Sequence, residues 1–599
     1  MRRTTWSRPA LGMPALLALP GVAASCGDGL TGREAAAPRP QAASSSPSLE
    51  EAAVPAGASP ASAPSDSGAP VPSGQEGFLT VMRELYPSWE RRFNPLLGPG
   101  ITRWPTTAGI YEPLIVFNTM RDDYTPWLST GYTWSDGNRR LTFTLRPGVT
   151  WSDGRPFTAT DVAFTFELLK KHSALDMHEV WTFVASVHAR DDVTVEFVLQ
   201  RPFVPGLAAI GHQPIVPEHI WKDVADPVTF DNEHPVATGP FTEVKVFTDK
   251  LYELGRNPRY WQPGRPAIAG LRFPAYPDVE AMNSALLRGE VDWAGNFVAD
   301  IQRTFVDKDP AHHRYWFPLV GGTVLLYPNV TRKPLDDVRV RKALSMALDR
   351  DRMAQQSMSG HSRAADATGL SDAHVRWRSL QAVAAGDWVK LDVARASALL
   401  DEAGYVVGKD GLRAKGGAPL RLDLHVVDGW GDWIHAGKLA VQQMRRLGVD
   451  ATLKVMAFLD YFDALQRGNF DLSMSWAEAS ADLYHLYHHF MGSEGVKPVG
   501  ELAQVNWHRY GSKAADRLLR ALESTSDPAQ RKRIAGDLQM LFVKTAPAIP
   551  LFLSPSFGEY NTRRFIGFPG PENPYAKLSP NNPPECLLVL TELRPRPAP

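Results

Sequence analysis

The sequence predicts an α/β protein built from more than one lobe. The chain has 599 residues, which is longer than a single hydrophobic core usually supports. Hydrophobic residues make up 44% and charged residues 22%, the balance of a globular protein. In the second half, segments with helical apolar spacing alternate with short apolar strands, which indicates a mixed sheet covered by helices.

The N-terminus is typical of a secretory signal peptide, predicted over residues 1–25. Arg2, Arg3 and Arg8 precede a short apolar run that ends in small residues. The letters AAS before Cys26 resemble the bacterial lipoprotein signal, in which the cysteine is lipidated. We therefore expect a lipid anchor at Cys26, with ordinary secretory cleavage as the alternative.

A tether is predicted between Cys26 and residue 77. This stretch is rich in Ala, Ser, Pro and Gly, and no aromatic residue occurs between Trp6 and Phe78. Such a composition buries too little apolar surface to offset the entropy of ordering, so we expect a disordered leash. A lipid-anchored disordered tether followed by a large folded body indicates an extracytoplasmic protein that contacts the membrane only through its lipid.

Charge, cysteine count and missing motifs exclude several function classes. The chain has 64 basic and 65 acidic residues, a net charge of −1, and nucleic-acid binding needs a basic surface. The two cysteines, Cys26 and Cys586, exclude a disulfide framework. The sequence has no GxSxG, CxxC or GxxxxGK[ST] motif, so it carries no signature of a nucleophile elbow, a dithiol site or a phosphate loop, and no cofactor is predicted.

The folded body begins near Phe78 and carries the tetrapeptide WSDG twice, at 134–137 and 151–154. Asp-Gly favours left-handed turns, so the first copy is predicted to turn the chain into a strand at 141–146. After the second copy, Thr158 and Asp161 have the spacing of a capping box at a helix start. Both copies are interpreted as scaffold, with their tryptophans in local core.

Helices and strands then follow in an order that the apolar spacing predicts. Helices are expected at 280–289, 333–355, 391–404, and after residues 435 and 460, and strands at 193–199, 421–429 and 549–557.

Several segments, in this order, resemble the extracytoplasmic solute-binding proteins of ABC importers, family 5, the oligopeptide, dipeptide and nickel-binding type. They are YEPLIVFN (111–118), LTFTLRPGVTWSDGRPFTATDVAFTFELL (141–169), ATGPFTEV (237–244), LYELGRNPRYW (251–261) and FDLSMSW (470–476). The resemblance implies a two-lobed periplasmic-binding-protein fold with a hinge. It places lobe 1 at 78–325 with an extra subdomain at about 112–230, lobe 2 at 326–545, and a return to lobe 1 at 546–599.

The resemblance also implies a non-enzymatic, monomeric receptor that delivers its ligand to ABC permease subunits. The alternative class is a periplasmic carbohydrate-active enzyme, which would need two carboxylates about 5–10 Å apart on opposite sides of the sugar. DGWGDW (428–433), ELAQVNWHRY (501–510) and GPENPYA (570–576) resemble the branch that binds cello-oligosaccharides. The alternative ligand is a peptide. Peptide binders hold the ligand's ammonium with an acidic residue after the FDLxxxW strand, and Glu478 or Asp482 could fill that role.

Sugar binding needs flat aromatic faces for pyranose rings and polar groups for hydroxyls. The resemblance places tryptophans and short polar side chains near the interlobe cleft. The predicted ligand contacts are Trp430, Trp433, Asp428, Asp432, Trp476, Asn506, Trp507, Trp293, Asn296, Asn94, Trp104 and Asn118. For each, a turn, a cap or core packing is the alternative. His485, His488 and His489 have helical spacing, but no second ligand group accompanies them, so no metal site is predicted.

Overall fold

The computed structural model describes residues 77–83, 86–98, 100–477, 480–581 and 583–597. The predicted signal peptide, Cys26 and nearly all of the predicted tether lie outside these residues, as does Glu478. Within the described part of the chain, no helix is long and apolar enough to cross a membrane.

The strands, in chain order, are β1 Phe78–Met82, β2 Ile115–Asn118, β3 Asp123–Pro126, β4 Ser129–Ser135, β5 Arg140–Leu145, β6 Val184–Ala189, β7 Thr194–Leu199, β8 Glu243–Phe247, β9 Leu251–Gly255, β10 Gly270–Pro274, β11 Trp293–Ala294, β12 His313–Tyr315, β13 Gly322–Pro328, β14 Val406–Val407, β15 Arg413–Lys415, β16 Ala418–Pro419, β17 Arg421–Val427, β18 Asp450–Met456, β19 Leu472–Ala477, β20 Ile549–Ser554, β21 Glu559–Asn561, β22 Phe565–Ile566 and β23 Arg594–Pro595.

The α-helices are α1 Ala159–Lys171, α2 Gly206–Gly211, α3 Glu218–Trp221, α4 Val279–Leu287, α5 Ile301–Thr304, α6 Val338–Met346, α7 Arg350–Ser357, α8 Leu380–Ala385, α9 Val393–Glu402, α10 Gly431–Arg446, α11 Phe458–Arg467, α12 Leu483–Met491, α13 Lys513–Ser524, α14 Pro528–Thr545 and α15 Cys586–Glu592. The single helix predicted at 333–355 is wrong, because Asp349 caps a second helix by accepting a hydrogen bond from the Arg352 N–H.

Each lobe is built on its own mixed sheet, which confirms the predicted α/β class. Lobe 1 has a seven-stranded sheet in the order β12-β21-β11-β1-β10-β9-β8. Lobe 2 has a five-stranded sheet in the order β18-β17-β19-β13-β20. The strand β20 pairs with β13, so the chain returns to lobe 1 after Ser554 and not at the predicted residue 546.

The extra subdomain contains a four-stranded antiparallel sheet in the order β4-β5-β7-β6, with helix α1 packed on β6 and β7. Asp161 accepts a hydrogen bond from the Thr158 N–H, as expected for the start of this helix. At the first WSDG, Asp136 and Gly137 have φ of 50° and 58°, which confirms the predicted left-handed turn.

Two chain segments cross between the lobes side by side. Trp316 N–H donates to the Gly558 carbonyl at 2.9 Å, and Ser556 N–H donates to the Pro318 carbonyl at 2.8 Å. A Cβ atom on Gly321 would lie 2.7 Å from the Pro555 carbonyl oxygen, so glycine permits this close approach. A narrow double crossing of this kind is where hinge bending is possible.

Candidate functional site

Two of the tryptophans predicted as ligand contacts belong to the core of lobe 1. Trp104 is 5% exposed and Trp293 is 0% exposed. Their ring centroids lie 6.2 Å apart in an edge-to-face arrangement. The Nε1–H of Trp104 donates to the Pro580 carbonyl at 2.9 Å, and that of Trp293 donates to the Leu578 carbonyl at 2.6 Å. Both indoles therefore hold the C-terminal segment around residues 578–580 against lobe 1 through hydrogen bonds.

Three predicted asparagines likewise hold backbone in place. Asn94 and Asn506 are fully buried and Asn118 is nearly so. Their amides donate to backbone carbonyls at Pro227 and Phe230 for Asn94, Tyr575 for Asn118, and Gly492 for Asn506. This corrects the expectation that they face ligand hydroxyls, because buried amides of this kind replace missing secondary-structure bonds.

Asn296 lies on the loop after β11 and contacts a buried carboxyl group. Its backbone N–H donates to Glu559 Oε2 at 3.0 Å, and its side-chain amide donates to Asn283 at 3.3 Å. Burial raises the pKa of Glu559 to about 8, although the backbone N–H bond opposes the shift. Asn296 is half-buried and stays a predicted ligand contact.

The remaining predicted tryptophans meet in one group, here called the lobe 2 cluster: Trp430, Trp433, Trp476, Trp507, Phe458 and Phe462. The Trp430 and Trp433 rings are 4.8 Å apart at 84°, and Trp476 lies 6.1 Å from Trp430 and 5.8 Å from Trp507. Trp430 and Trp476 are half-buried, whereas Trp433 and Trp507 are buried. These four tryptophans therefore lie together, and the two half-buried rings, Trp430 and Trp476, stay predicted ligand contacts.

The indoles of this cluster are held by packing. The Nε1–H groups of Trp430 and Trp507 are buried and have no hydrogen-bond partner among the described residues. The two predicted aspartates lie next to Trp430. Asp428 is exposed and accepts a hydrogen bond from the Gly429 N–H, and Asp432 lies in the first turn of α10. Burial raises the pKa of Asp432.

A cavity of about 750 Å³ lies between the extra subdomain and lobe 2. Aromatic and charged side chains from both bodies line it. They are Phe117, Asp122, Asp123, Tyr124, Tyr132, Thr133, Trp134, Val204 and Leu207 from the subdomain, and His374, Arg376, Trp377, Ala481, Asp482, Leu483, Leu522, Ser526, Pro528, Arg531, Lys532 and Ala535 from lobe 2. Its volume is typical of small-molecule sites.

The residues predicted as ligand contacts do not line this cavity in the part of the chain that the structure describes. Trp134 and Tyr132 alternate on β4 and so share a face, a signal present in the sequence. Trp134 was predicted as local core, but it is half-buried and lines the cavity, whereas Trp151 is fully buried as predicted. The first WSDG copy therefore lines the cavity with its tryptophan, and the second copy belongs to the scaffold.

The hairpin turn beside Trp134 contacts lobe 2 directly. Asn138 donates to the Ser524 carbonyl at 3.0 Å and accepts from the Ser526 hydroxyl at 2.9 Å. Nearby, Arg201 pairs with Glu523 at 2.7 Å. These contacts dock the subdomain on lobe 2 beside Ser526, which lines the cavity, and no local pattern in the sequence could have indicated them.

Most of the charge in the cavity is compensated within the protein. Asp482 caps helix α12 by accepting from the Tyr484 N–H at 2.8 Å, and it also pairs with Arg531 at 2.5 Å. Asp122 pairs with Arg376 at 2.7 Å. Asp482, the candidate for a peptide ammonium, is therefore already neutralised.

Two tyrosines supply neutral hydrogen-bond donors to the cavity. Burial raises the pKa of Tyr124 well above its ordinary value of 10.0, and the negative charge of Asp482 adds to the shift. Burial also raises the pKa of Tyr132, with Asp123 adding. Both phenols stay protonated at neutral pH and present an aromatic face together with a hydroxyl group.

The histidines of helix α12 face other side chains. His489 packs edge-on against Trp507 at 4.6 Å, and burial lowers its pKa to about 3. Burial also lowers the pKa of His485 and of His488. Among the described residues, no group of three or more His, Cys, Asp or Glu side chains could hold a metal ion.

Comparison with known proteins assigns the family. Residues 123–497 match the model of the bacterial extracellular solute-binding proteins, family 5. The chain is 28% identical to Protein XP55 of Streptomyces lividans over 418 residues, which are 68% of this chain and 72% of that protein. It is 27% identical to the nickel-binding periplasmic protein of Escherichia coli over 388 residues, which are 59% and 70% of the two chains.

Solved structures share the fold. A periplasmic oligopeptide-binding protein of an ABC transporter from Thermotoga maritima superposes with a TM-score of 0.79 at 25% identity, over 87% of this chain and 99% of that one. The mannohexaose-bound form of that protein superposes with a TM-score of 0.73 at 24% identity, over 88% and 100% of the two chains. The chain therefore belongs to the family-5 extracytoplasmic solute-binding proteins of ABC transporters, which are binding proteins that work with permease subunits.

Proposed function

We propose that this protein captures a neutral oligosaccharide in the cavity between the extra subdomain and lobe 2 and delivers it to an ABC permease. The observation that carries the proposal is the lining of the cavity, where Tyr124, Tyr132, Trp134 and Trp377 accompany two ion pairs, Asp122–Arg376 and Asp482–Arg531. Aromatic faces suit the apolar C–H faces of pyranose rings, and neutral phenols suit their hydroxyls.

A long ligand would extend from the cavity to the lobe 2 cluster. Trp476 of the cluster lies in β19, and Asp482, which lines the cavity, follows it by six residues in the sequence. The half-buried faces of Trp430 and Trp476, with the exposed Asp428, offer further sugar contacts. Hinge bending at the double crossing would admit and release the ligand. In this account the chain is extracytoplasmic, anchored through a lipid on Cys26, monomeric and without catalytic activity.

A peptide is the second candidate, and two charges favour it. Asp123 and Lys532 line the cavity and are exposed, and neither forms an ion pair in the part of the chain that the structure describes. The two could receive the ammonium and the carboxylate of a zwitterion. Asp123→Asn should then weaken peptide binding while leaving the binding of a neutral sugar nearly unchanged.

The test is calorimetric titration of the protein with cellohexaose, mannohexaose and tri-alanine. Trp377→Ala should weaken sugar affinity by about tenfold, the typical effect of removing a central aromatic contact. Trp181→Ala is the matched control, because Trp181 is also half-buried but lies outside the cavity and bonds the Phe166 carbonyl. Binding of tri-alanine without either sugar would overturn the oligosaccharide proposal.

A further inference from the structure

A second cavity, of about 490 Å³, lies between the extra subdomain and the C-terminal segment of lobe 1. The charged residues that line it are three arginines, Arg121, Arg265 and Arg594, and one acidic residue, Glu592, so it is here called the arginine cavity. Arg265 Nη2 pairs with Glu592 Oε1 at 2.6 Å, and these two charges compensate each other. The arginine cavity therefore keeps two positive charges in excess.

Those two charges belong to accessible guanidinium groups on a fixed backbone. The Arg121 N–H donates to Asn118 Oδ1 at 3.1 Å, and Arg594 pairs with Ile566 between strands β22 and β23. Both arginines are exposed, and neither guanidinium forms an ion pair or a hydrogen bond within the described residues. A guanidinium can donate two parallel hydrogen bonds to a carboxylate or a phosphate. Anions dissolved in the solvent can therefore reach two unused binding groups.

Neutral groups suited to an organic ligand lie beside these arginines. Asn573 and Tyr575, from the segment GPENPYA (570–576), line the same cavity. Asn573 is exposed, and its side-chain amide has no hydrogen-bond partner in the part of the chain that the structure describes. Tyr575 is half-buried, and its hydroxyl donates to the Gly567 carbonyl at 2.7 Å, which fixes the ring. The cavity thus combines cationic groups with an amide and an aromatic ring, in a volume typical of small-molecule sites.

One hairpin separates the arginine cavity from the cavity of about 750 Å³. Arg121 and Thr125 of the hairpin β2–β3 line the arginine cavity, whereas Asp123 and Tyr124 line the other one. The exposed carboxylate of Asp123 therefore belongs to the cavity of the proposed oligosaccharide site. Since Arg121 lies in the subdomain and Arg594 in lobe 1, a ligand bonded to both would hold the hairpin against lobe 1.

We propose that the arginine cavity is a second ligand site, which binds a small organic anion carrying two or more carboxylate or phosphate groups. Arg121 and Arg594 each bond one anionic group, and Asn573 bonds a polar group of the ligand between them. The site is independent of the proposed oligosaccharide binding, because Arg121, Arg265 and Arg594 do not line the cavity of about 750 Å³.

The test is calorimetric titration at low ionic strength with citrate and with fructose 1,6-bisphosphate, which separates recognition of carboxylates from recognition of phosphates. At least one of the two anions should bind saturably with one equivalent. Arg121→Gln and Arg594→Gln should each weaken that affinity about tenfold, as expected for lost hydrogen bonds to a charged group. Arg121→Lys keeps the charge but loses the parallel bonds, so it should recover only part of the affinity.

Arg139→Gln is the matched control. Arg139 is also an exposed subdomain arginine whose guanidinium has no partner among the described residues, but it lines neither cavity. An equal loss of affinity in Arg139→Gln would reveal only an effect of net charge and would overturn the inference.

Two further results would also overturn it. One is the absence of saturable binding of both anions. The other is loss of anion binding in Lys532→Gln with full binding in Arg121→Gln, because Lys532 lines the other cavity. Mannohexaose affinity should stay unchanged in Arg121→Gln, so the anion site and the proposed oligosaccharide site succeed or fail in separate titrations.

Discussion

Trp104 and Trp293, in lobe 1, differ in one physical respect from Trp430 and Trp507, in lobe 2. Trp104 and Trp293 of lobe 1 donate their indole N–H groups to carbonyls of the C-terminal segment. Trp430 and Trp507 of lobe 2 have buried N–H groups without a hydrogen-bond partner in the described part of the chain. In sequence Trp293 and Trp430 look alike, since the first lies in β11 and the second follows β17. The difference teaches that the bonded indoles of Trp104 and Trp293 belong to the scaffold, whereas Trp430 is held by packing and, being half-buried, still exposes part of its ring.

The largest effect is expected at Trp293. Trp293→Ala opens a cavity in the core and leaves the Leu578 carbonyl without its donor, so the free energy of unfolding should fall by about 3–5 kcal/mol. Urea unfolding measures the loss. Sugar affinity per folded molecule should stay unchanged, and a variant with full stability but weaker binding would place Trp293 in the site.

A second pair of hydrogen-bonded indoles, Trp127 and Trp261, shares the carboxyl group of Glu112, whose titration allows a test of stability against pH. Glu112 is fully buried and accepts from Trp127 Nε1–H at 2.8 Å and Trp261 Nε1–H at 3.1 Å. Burial raises the pKa of Glu112 from 4.5 to about 7, and the hydrogen bonds oppose the shift. Between pH 4.5 and about pH 7, Glu112 is deprotonated in the unfolded chain but still protonated in the folded protein. The free energy of unfolding therefore falls as pH rises through this range.

The expected loss across that window is on the order of 3 kcal/mol, at about 1.4 kcal/mol per pKa unit. The contribution of Glu112 to the free energy of unfolding is fully present below pH 4.5 and is lost above about pH 7. Glu112→Gln stays uncharged, so its unfolding free energy should change less over the same range. Chemical denaturation at pH 5 and pH 8 compares the unchanged protein with Glu112→Gln. If the unfolding free energies of both proteins changed equally with pH, Glu112 would not be the group responsible.

A smaller effect is expected at Trp430. Its ring is half-buried and its N–H has no partner to lose, so Trp430→Ala should cost less stability than Trp293→Ala. Loss of one stacked sugar face should weaken oligosaccharide affinity by about 1 kcal/mol, roughly fivefold. Calorimetric titration measures it, and unchanged affinity would assign Trp430 to the scaffold as well.

Local patterns explain what the sequence could predict. The left-handed turn at Asp136-Gly137 and the bond from the Thr158 N–H to Asp161 depend on neighbouring residues, and both occur. The lobe assignment of β20 and the cavity depend on contacts between distant segments. Trp134 illustrates this, because its role follows from the docking of its hairpin on Ser524 and Ser526, nearly four hundred residues away.

The indole N–H groups themselves provide the most direct measurement. The protein is labelled with ¹⁵N-tryptophan, each signal is assigned by a Trp→Phe variant, and mannohexaose is added to saturation. The account predicts that the signals of Trp377 and Trp430 shift while those of Trp104 and Trp293 stay in place. Movement of Trp104 and Trp293 with Trp377 and Trp430 unaffected would contradict it.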